Sequence, residues 1–253
     1  MAQYMIQDTT MEAIGDAIRE QTGGTEALSP AQMAEEIRSN LGDVNGLIER
    51  TTTDIKYNGV TEVAPFAFYS YTTLNSIELP ACTSVGNSAF VSCTGLTSIS
   101  LPNCTSASTS AFTGCKNIVN ATIGFSGTIT AGNFPFKVAY STALATVNLP
   151  NCEMIGSSAF KGYTKLTTIS APVCTSAYTQ AFSGCTALDT VYLPECTSAS
   201  TAAFTGCKSI TNATLGFSEL TSTNFPFKSA RAIIEEVHFP KCVSIGSRVF
   251  AGS

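Results

Sequence analysis

The sequence has little charge, because Asp, Glu, Lys and Arg make up only 12% of its 253 residues, against about a quarter in an average globular domain. The 13 Lys and Arg residues form no cluster, whereas a nucleic-acid partner requires clustered cations to neutralise phosphates. No apolar stretch approaches the roughly 20 residues that span a bilayer. The sequence therefore predicts neither a nucleic-acid partner nor membrane insertion.

The residue types that most enzymes and metal sites depend on are also scarce. His238 is the only histidine, so no histidine metal cluster can be assembled, and a Ser-His-Asp triad would depend on this one residue, which the strand pattern places on the exposed face. The ten cysteines contain no C-x-x-C pair with zinc-site spacing, and no Gly-rich phosphate loop occurs. These absences predict a protein that is not an enzyme and that uses no cofactor or metal.

Charge divides the chain into two regions. Residues 1–50 carry nine acidic and three basic side chains, and the rest carries nine and ten. We therefore expect an N-terminal domain over residues 1–50 and a second domain over residues 51–253. Residues 1–10 have no basic stretch followed by an apolar core, so no signal peptide is expected, and localisation stays open between the cell surface or exterior and a phage particle.

A period of about 22 residues runs from Thr52 to the end of the chain. Its clearest copy places Leu96, Ile99, Leu101 and Cys104 in the spacing L-x-x-L-x-L-x-x-C, and nine such units can be aligned. Ile99 and Leu101 alternate with Ser100, which predicts a short strand with two inward side chains. One unit cannot bury them alone, so the units must stack and pair their strands into a parallel sheet.

Seven of the nine units repeat a phenylalanine in their second half, and six carry one or two cysteines. The phenylalanines are predicted to form one buried column, made of Phe68, Phe90, Phe112, Phe160, Phe182, Phe204 and Phe250. The cysteines fall into a column after the strand and a second column after the phenylalanine. Because stacked strands place like cysteines side by side with parallel Cβ directions, which suits a disulfide poorly, we expect buried free thiols.

A longer repeat of 92 residues overlies the short one, since Asn120–Ser126 and Asn212–Ser218 are near copies. Each 92-residue block carries one longer, irregular unit that contains Asn-Phe-Pro-Phe-Lys, at residues 133–137 and 224–228. These segments are either contact surfaces or turns that pack against the convex side of the solenoid. The candidate contact residues are Phe134, Phe136, Lys137, Phe225, Phe227 and Lys228.

The recurring pattern L-x-x-I-x-L-P followed by V/I-G-x-x-A-F-x-x-C resembles the BspA-like class of bacterial leucine-rich repeats, over residues 52–253. The resemblance implies a leucine-rich-repeat solenoid, mainly β, with its parallel sheet on the concave face. It also implies a binding protein, because members of the class are mostly surface-exposed or secreted and several are associated with adhesion.

The N-terminal region has the periodicity of two helices, over residues 8–21 and from Ser29 to about Asn40. They are expected to form a helical hairpin that caps the first unit of the solenoid. The stretches from Met11 to Gly23 and from Met33 to Arg38 also resemble the N-terminus of proteins encoded near prophage tail genes of Gram-positive gut-type bacteria. This second resemblance implies a structural appendage of a phage tail, baseplate or similar particle.

The outward side chains of the concave sheet are the main candidate binding surface, the alternative being an ordinary solvated sheet. They are polar, small and nearly uncharged, which suits docking along a protein or glycan ligand by many hydrogen bonds. The candidate residues are Glu78, Ser100, Asn120, Asn148, Tyr192, Asn212 and His238. The predicted function is therefore a non-catalytic scaffold for protein–protein or cell-surface glycan attachment, with the particle appendage as the alternative.

The last unit ends with Phe250 close to the end of the sequence. An uncovered solenoid end exposes apolar side chains and a strand edge. We therefore expect end-to-end pairing of copies, a homo-oligomer, or a partner at this end.

Overall fold

A computed structural model describes residues 50–136, 143–230 and 234–250 of the protein. The chain divides into two units, Met1–Thr52 and Thr53–Ser253, and nearly all described residues belong to the second. The helical hairpin predicted within residues 8–40 lies outside the described residues. No helix occurs within them, and they form a parallel β-solenoid.

One parallel sheet runs the length of the solenoid and receives one strand from each of the nine predicted units. Odd-numbered strands in chain order make up this sheet, and neighbours in space follow their order in the sequence. Its strands are β1 Asp54–Lys56, β3 Ser76–Glu78, β5 Ser98–Leu101, β7 Asn120–Ile123, β9 Thr146–Asn148, β11 Thr168–Ser170, β13 Thr190–Leu193, β15 Asn212–Leu215 and β17 Glu236–His238.

Each unit forms its strand around one apolar residue that is stable only when it is buried inside the solenoid. Ile77, Ile99 and Ile169 are buried at the middle of their strands, and the polar residues on either side face solvent. Equivalent residues are directly paired, as in Ile55 with Ile77. A shift by one residue would expose the whole apolar row, so the apolar row determines the register.

Short even-numbered strands form a second ladder on another side of the solenoid, and this ladder is broken twice. It consists of one three-stranded, one four-stranded and one two-stranded piece. The strands are β2 Glu62–Val63, β4 Ser84–Val85 and β6 Ser106–Ala107, then β8 Gly127–Ile129, β10 Cys152–Ile155, β12 Ser176–Ala177 and β14 Ser198–Ala199, then β16 Glu219–Leu220 and β18 Ser244–Ile245. Both breaks precede the first short strand of an irregular unit.

An asparagine side chain takes the place of the missing neighbour at each break. Asn133 donates from Nδ2 to the Thr128 carbonyl (2.8 Å), and its Oδ1 accepts from the Thr130 backbone N–H (2.6 Å). In the next unit the equivalent N–H, that of Gly156, donates to the Ile129 carbonyl of the preceding strand (2.6 Å). The amide of Asn133 therefore satisfies peptide groups of β8 that another strand would otherwise satisfy.

The second block repeats this arrangement. Asn224 donates to the Glu219 carbonyl (2.9 Å) and accepts from the Thr221 backbone N–H (2.7 Å). Asparagine suits the position because its amide offers one donor and one acceptor with the geometry of a peptide group. The first residue of Asn-Phe-Pro-Phe-Lys thus serves as the cap of an exposed strand edge.

The phenylalanines of the same segments belong to the core. Phe134, Phe136, Phe225 and Phe227 are all buried, and Phe136 continues the aromatic column with its ring centroid 4.9 Å from that of Phe112. The sequence predicted only one phenylalanine per regular unit in this column. Two rings in each irregular unit fill the additional length, so the column is continuous from Phe68 to Phe250.

The last unit exposes apolar side chains whose counterparts in inner units are buried. Phe250 is 52% exposed, whereas Phe160 at the equivalent position is fully buried. Ile245 is also exposed, although Ile155 is buried, and Val243 beside it is 88% exposed. These exposed side chains lie where the expected pairing surface was placed, and pairing itself stays a prediction.

Candidate binding face

The solvent-facing side chains of the nine-stranded sheet stand in two straight rows, which together we call the sheet face. Residues of each row are paired across every neighbouring strand, so their side chains are aligned along the solenoid. The central row is Lys56, Glu78, Ser100, Thr122, Asn148, Ser170, Tyr192, Thr214 and His238. The second row is Asp54, Ser76, Ser98, Asn120, Thr146, Thr168, Thr190, Asn212 and Glu236.

All seven sequence-predicted residues of the sheet lie on this face. Glu78, Ser100, Asn148, Tyr192 and His238 stand in the central row, and two asparagines stand in the second. Tyr192 is 46% exposed, and the Asn120, Asn212 and His238 side chains are also exposed. The register thus brings into one surface residues that lie up to 160 positions apart in the sequence.

Charge is confined to the two ends of the sheet face. At one end Lys56 pairs with Glu78 across neighbouring strands (Nζ to Oε1, 2.9 Å). At the other end His238 lies 2.9 Å from Glu236 (Nε2 to Oε1). The rows are uncharged across six consecutive strands, from β5 to β15, so the centre offers hydroxyls, amides and one phenol.

Hydrogen bonds order the acidic side chain at the first strand. Ser76, Asn75 and Thr53 donate to the Asp54 carboxylate, and these bonds hold the pKa of Asp54 below its usual range. Asp54 therefore stays ionised well into the acid range. The negative charge of Asp54 at this end of the sheet face therefore does not change near neutral pH.

The candidate contacts in the irregular units are distributed differently. The four phenylalanines are buried, so they are not available to a partner, and their burial agrees with the alternative of turns packed against the core. Lys228 is exposed. Lys137 lies outside the described residues.

The cysteines line the interior of the solenoid. Nine are buried and Cys242 is partly exposed. Thiols of the column after the strand bond the backbone of the following turn, as in Cys104 to the Ser106 carbonyl (3.2 Å). Thiols of the other column reach the preceding unit, as in Cys185 to the Phe160 carbonyl (3.0 Å). Burial raises the pKa of Cys196 to about 12, so these thiols act as core side chains.

Within the described residues, no three His, Cys, Asp or Glu side chains are grouped closely enough to hold a metal ion. The same part of the chain contains no helix of the length and apolarity needed to cross a membrane.

A polar cleft of about 200 Å³ lies at the first break in the second ladder, between β6 and β8. Seven residues line it: Thr105, Ser106, Ala107, Phe125, Ser126, Thr128 and Asn133. The repeat pattern of the sequence did not predict this cleft. One signal was present, because Asn133 and Asn224 are 91 residues apart while the segments before them are 92 apart, which marks an extra residue in the first block.

A sheet with one parallel strand per repeat, with an apolar row inside and a polar row outside, defines the protein as a leucine-rich-repeat solenoid. Leucine-rich-repeat proteins usually act as protein-binding scaffolds. The chain belongs to the BspA-type leucine-rich-repeat family, whose profile matches residues 49–151 and 133–253 with six copies of the repeat. The match does not reach the segment that resembles prophage tail proteins, so that resemblance stays a prediction.

Solved structures match the chain at low identity. A chain in the structure of the Toll–Spatzle complex of Drosophila is 16% identical with a TM-score of 0.60, and the match covers 76% of this chain and 29% of that chain. A leucine-rich cell surface protein from Faecalibacterium prausnitzii is 16% identical over 78% of this chain and 80% of that chain, with a TM-score of 0.31. An internalin from Listeria monocytogenes is 13% identical over 96% and 85%, with a TM-score of 0.43. The search of curated proteins found no matching relative.

Proposed function

We propose that the protein is a non-catalytic scaffold that binds a protein partner at a cell surface through the sheet face. The observation that carries the proposal is the alignment of two rows of short, polar, uncharged side chains across six consecutive strands. The family supports a binding role, since this fold typically serves as a scaffold. Bacterial BspA-like leucine-rich-repeat proteins are surface proteins.

The dimensions of the sheet face fit a macromolecule. Nine parallel strands spaced by roughly 4.8 Å extend over about 38 Å, which is much longer than a small ligand and comparable with one side of a standard protein interface. Serine, threonine and asparagine lose little rotamer freedom when a partner covers them, compared with lysine or glutamine. A surface of this kind can be covered at a small entropic cost.

Tyr192 is the residue most suited to anchor a partner. It is the one aromatic side chain in the two rows, and it is flanked in the central row by Ser170 and Thr214. Tyrosine combines a large apolar area with a hydroxyl group and has few rotatable bonds, which is why it is common at interface centres. Its neighbours in the row are short, and its side chain is 46% exposed.

The test compares binding of the fluorescently labelled full chain to a panel of intact cells with the binding of two variants. Ser170→Arg places a charge at the neutral centre, and Ser157→Arg places the same charge at an exposed turn after β10. We expect saturable binding that Ser170→Arg weakens at least about tenfold, which corresponds to about 1.4 kcal/mol. Ser157→Arg should bind as the unsubstituted chain does. Tyr192→Ala should also weaken binding.

Treatment of the cells distinguishes the chemistry of the partner. Loss of binding after protease digestion supports a protein partner. Binding that survives protease, is weakened by Ser170→Arg and is lost after periodate oxidation identifies a glycan on the sheet face instead and contradicts the proposal. Equal weakening by Ser157→Arg and Ser170→Arg contradicts the assignment of the face. No described residue favours the particle-appendage hypothesis, and the genes that neighbour this one would test it directly.

A further inference from the structure

The cleft at the first break of the second ladder is separate from the sheet face, because β6 and β8 belong to other sheets than the nine strands that carry that face. We propose that this cleft binds one uncharged sugar ring, presented as a residue of a neutral glycan. The inference does not depend on the proposed function.

The cleft exists because two units that touch along the main sheet separate on this side. Strands β5 and β7 are paired in full register from Ser98 to Leu101, and an added Cβ at Gly124, just after β7, would overlap the Pro102 carbonyl. Strands β6 and β8 of the same two units are not paired. The two units are therefore in contact at the main sheet and separated at the second ladder.

Peptide groups of β6 supply polar positions in the wall of the cleft. In the preceding unit the Val85 carbonyl accepts from the Ser108 N–H (3.0 Å). Ala107 is the counterpart of Val85, and no strand follows it to donate to its carbonyl. The donor expected for the Ala107 carbonyl is the Thr130 N–H, which donates to the Oδ1 of Asn133 instead. A carbonyl at an unpaired edge is an acceptor suited to a ligand hydroxyl.

The side chains of the wall match a neutral polyhydroxylated ligand. Ser106, Ser126 and Thr128 contribute hydroxyl groups, each of which can both donate and accept, as sugar hydroxyls do. None of the seven lining residues is charged, so a charged ligand would lose hydration without gaining an opposite charge. Phe125, 7% exposed, provides an apolar edge for the C–H face of a ring.

The size of the cleft limits the ligand to one ring. About 200 Å³ is below the range of roughly 300–1,000 Å³ that is typical of sites for drug-sized ligands. The cleft is also open to solvent at the residues Thr105, Ser106 and Ser126, which are exposed. A ring can therefore enter while the rest of a glycan chain stays outside.

The second block provides an internal comparison. Glu219 occupies the place of Thr128, since each is the residue whose carbonyl accepts from the capping asparagine. The counterpart of Ala107, Ala199, is only 9% exposed. The second break is thus more closed and carries an acidic group, and we expect it not to bind the same ligand.

The extra residue of the first block lies beside the cleft. Gly127 has a φ of 73° and no atom near the place of a Cβ, and the register between β8 and β10 shifts between Cys152 and Met154. Irregularities of this kind bend a strand and are common next to binding sites. The first block therefore differs from its copy in backbone conformation beside the cleft.

The test uses the full chain labelled with ¹⁵N and a panel of neutral methyl glycosides, namely the glucoside, galactoside, mannoside and N-acetylglucosaminide. We expect at least one to shift the amide resonances of Ser106, Ala107 and Thr128, with a Kd on the order of 1–10 mM. Thr128→Glu, which introduces the residue found in the other block, should weaken this binding at least tenfold. Thr168→Glu places the same charge on the sheet face and should leave the Kd unchanged.

The outcomes separate clearly. The proposal is overturned by shifts confined to the sheet face, by equal affinity in the chain and in Thr128→Glu, or by the absence of shifts with every glycoside at about ten times the expected Kd. Preference for the matching uronic acids over the neutral glycosides also overturns it. Because Thr128→Glu leaves the sheet face intact, it should bind cells as before, so failure here is distinguishable from failure of the proposed function.

Discussion

Asparagine side chains at two positions determine how the irregular units end the second ladder. The Asn133 and Asn224 amides satisfy the same pair of peptide groups in the two blocks. A backbone group that loses its partner away from water costs about 1–3 kcal/mol. The duplicated contact indicates that an interrupted strand edge in this solenoid requires a built-in substitute for the missing strand.

Asn133→Asp tests this role with an almost unchanged shape. The carboxylate can accept from Thr130 but places a negative oxygen against the Thr128 carbonyl, so we expect a loss of about 1–2 kcal/mol in the free energy of unfolding. Urea denaturation at neutral pH measures it. Asn120→Asp makes the same chemical change at an exposed position of the sheet face and should cost little. Equal midpoints for the two variants would show that the cap is not needed.

From the sequence, the two asparagines were recognisable only as members of a repeated motif, and their capping role was not predicted. Their position in Asn-Phe-Pro-Phe-Lys was visible, but the capping contact depends on a turn that brings Asn133 back to β8, five residues earlier. Periodicity does not specify such a turn. The same limit applies to Phe134 and Phe136, whose burial follows from the extra length that the irregular unit has to fill.

The aromatic column is the element that links all units. Phe112 stacks on Phe90 with a centroid distance of 5.0 Å and packs against Phe136 at 4.9 Å, and it is fully buried. Phe112→Ala should therefore destabilise the solenoid by about 3–5 kcal/mol, since it leaves a cavity between two rings that each lose one neighbour. Thermal unfolding of the same chain measures the change.

Phe250→Ala provides the matched control. It removes the same side chain at the equivalent position of the last unit, where the ring is half exposed and packs against Phe225. We expect less than half the cost of Phe112→Ala. Similar losses in both variants would contradict the view that stacking between units, rather than the residue type, stabilises the column.

Alkaline pH should weaken the cysteine columns. Burial raises the pKa of Cys196 from 9.0 to about 12, because the thiolate is poorly solvated inside the solenoid. A folded-state pKa above the unfolded value means that this stabilisation is complete below about pH 9 and is lost as the pH rises towards 12. The urea midpoint should therefore be lower at about pH 10.5 than at about pH 8.

Cys196→Ala is the control for the alkaline prediction, since it removes one of the titrating thiols. Its midpoint should fall less between the two pH values than that of the unsubstituted chain. Titration with a thiol reagent addresses the reduced state separately: after denaturation without reductant we expect ten reactive thiols, and a lower number would reveal disulfides.

The repeat period determined most of the architecture at the scale of the whole molecule. Nine units, the inward row of residues such as Ile99 and the outward row that includes Tyr192 all follow from a pattern of period two within a period of 22. The cleft between β6 and β8 did not follow, because it results from the separation of two units. Its position depends on Gly127 and on where the second ladder breaks.

The exposed apolar side chains of the last described unit offer a surface for association between copies of the chain. Ile245 and Phe250 occupy positions that are buried at Ile155 and Phe160, and Val243 adds a further exposed apolar side chain. We predict that copies associate through this surface at high concentration. Sedimentation velocity over a range of concentrations measures this, with Val243→Glu expected to shift the distribution towards the monomer. A strictly monomeric profile of the unsubstituted chain at the highest concentration would contradict the prediction.

Site-specific photo-crosslinking can show whether the neutral stretch of the sheet face is the surface that contacts a partner. A photoreactive benzoylphenylalanine replaces Ser170 at the centre of the face in one chain and Ser157 at the exposed turn after β10 in another. Both chains are bound to the same cells and irradiated. We predict a covalent adduct with a surface protein from position 170 and none from position 157. An adduct from position 157 alone would contradict this prediction.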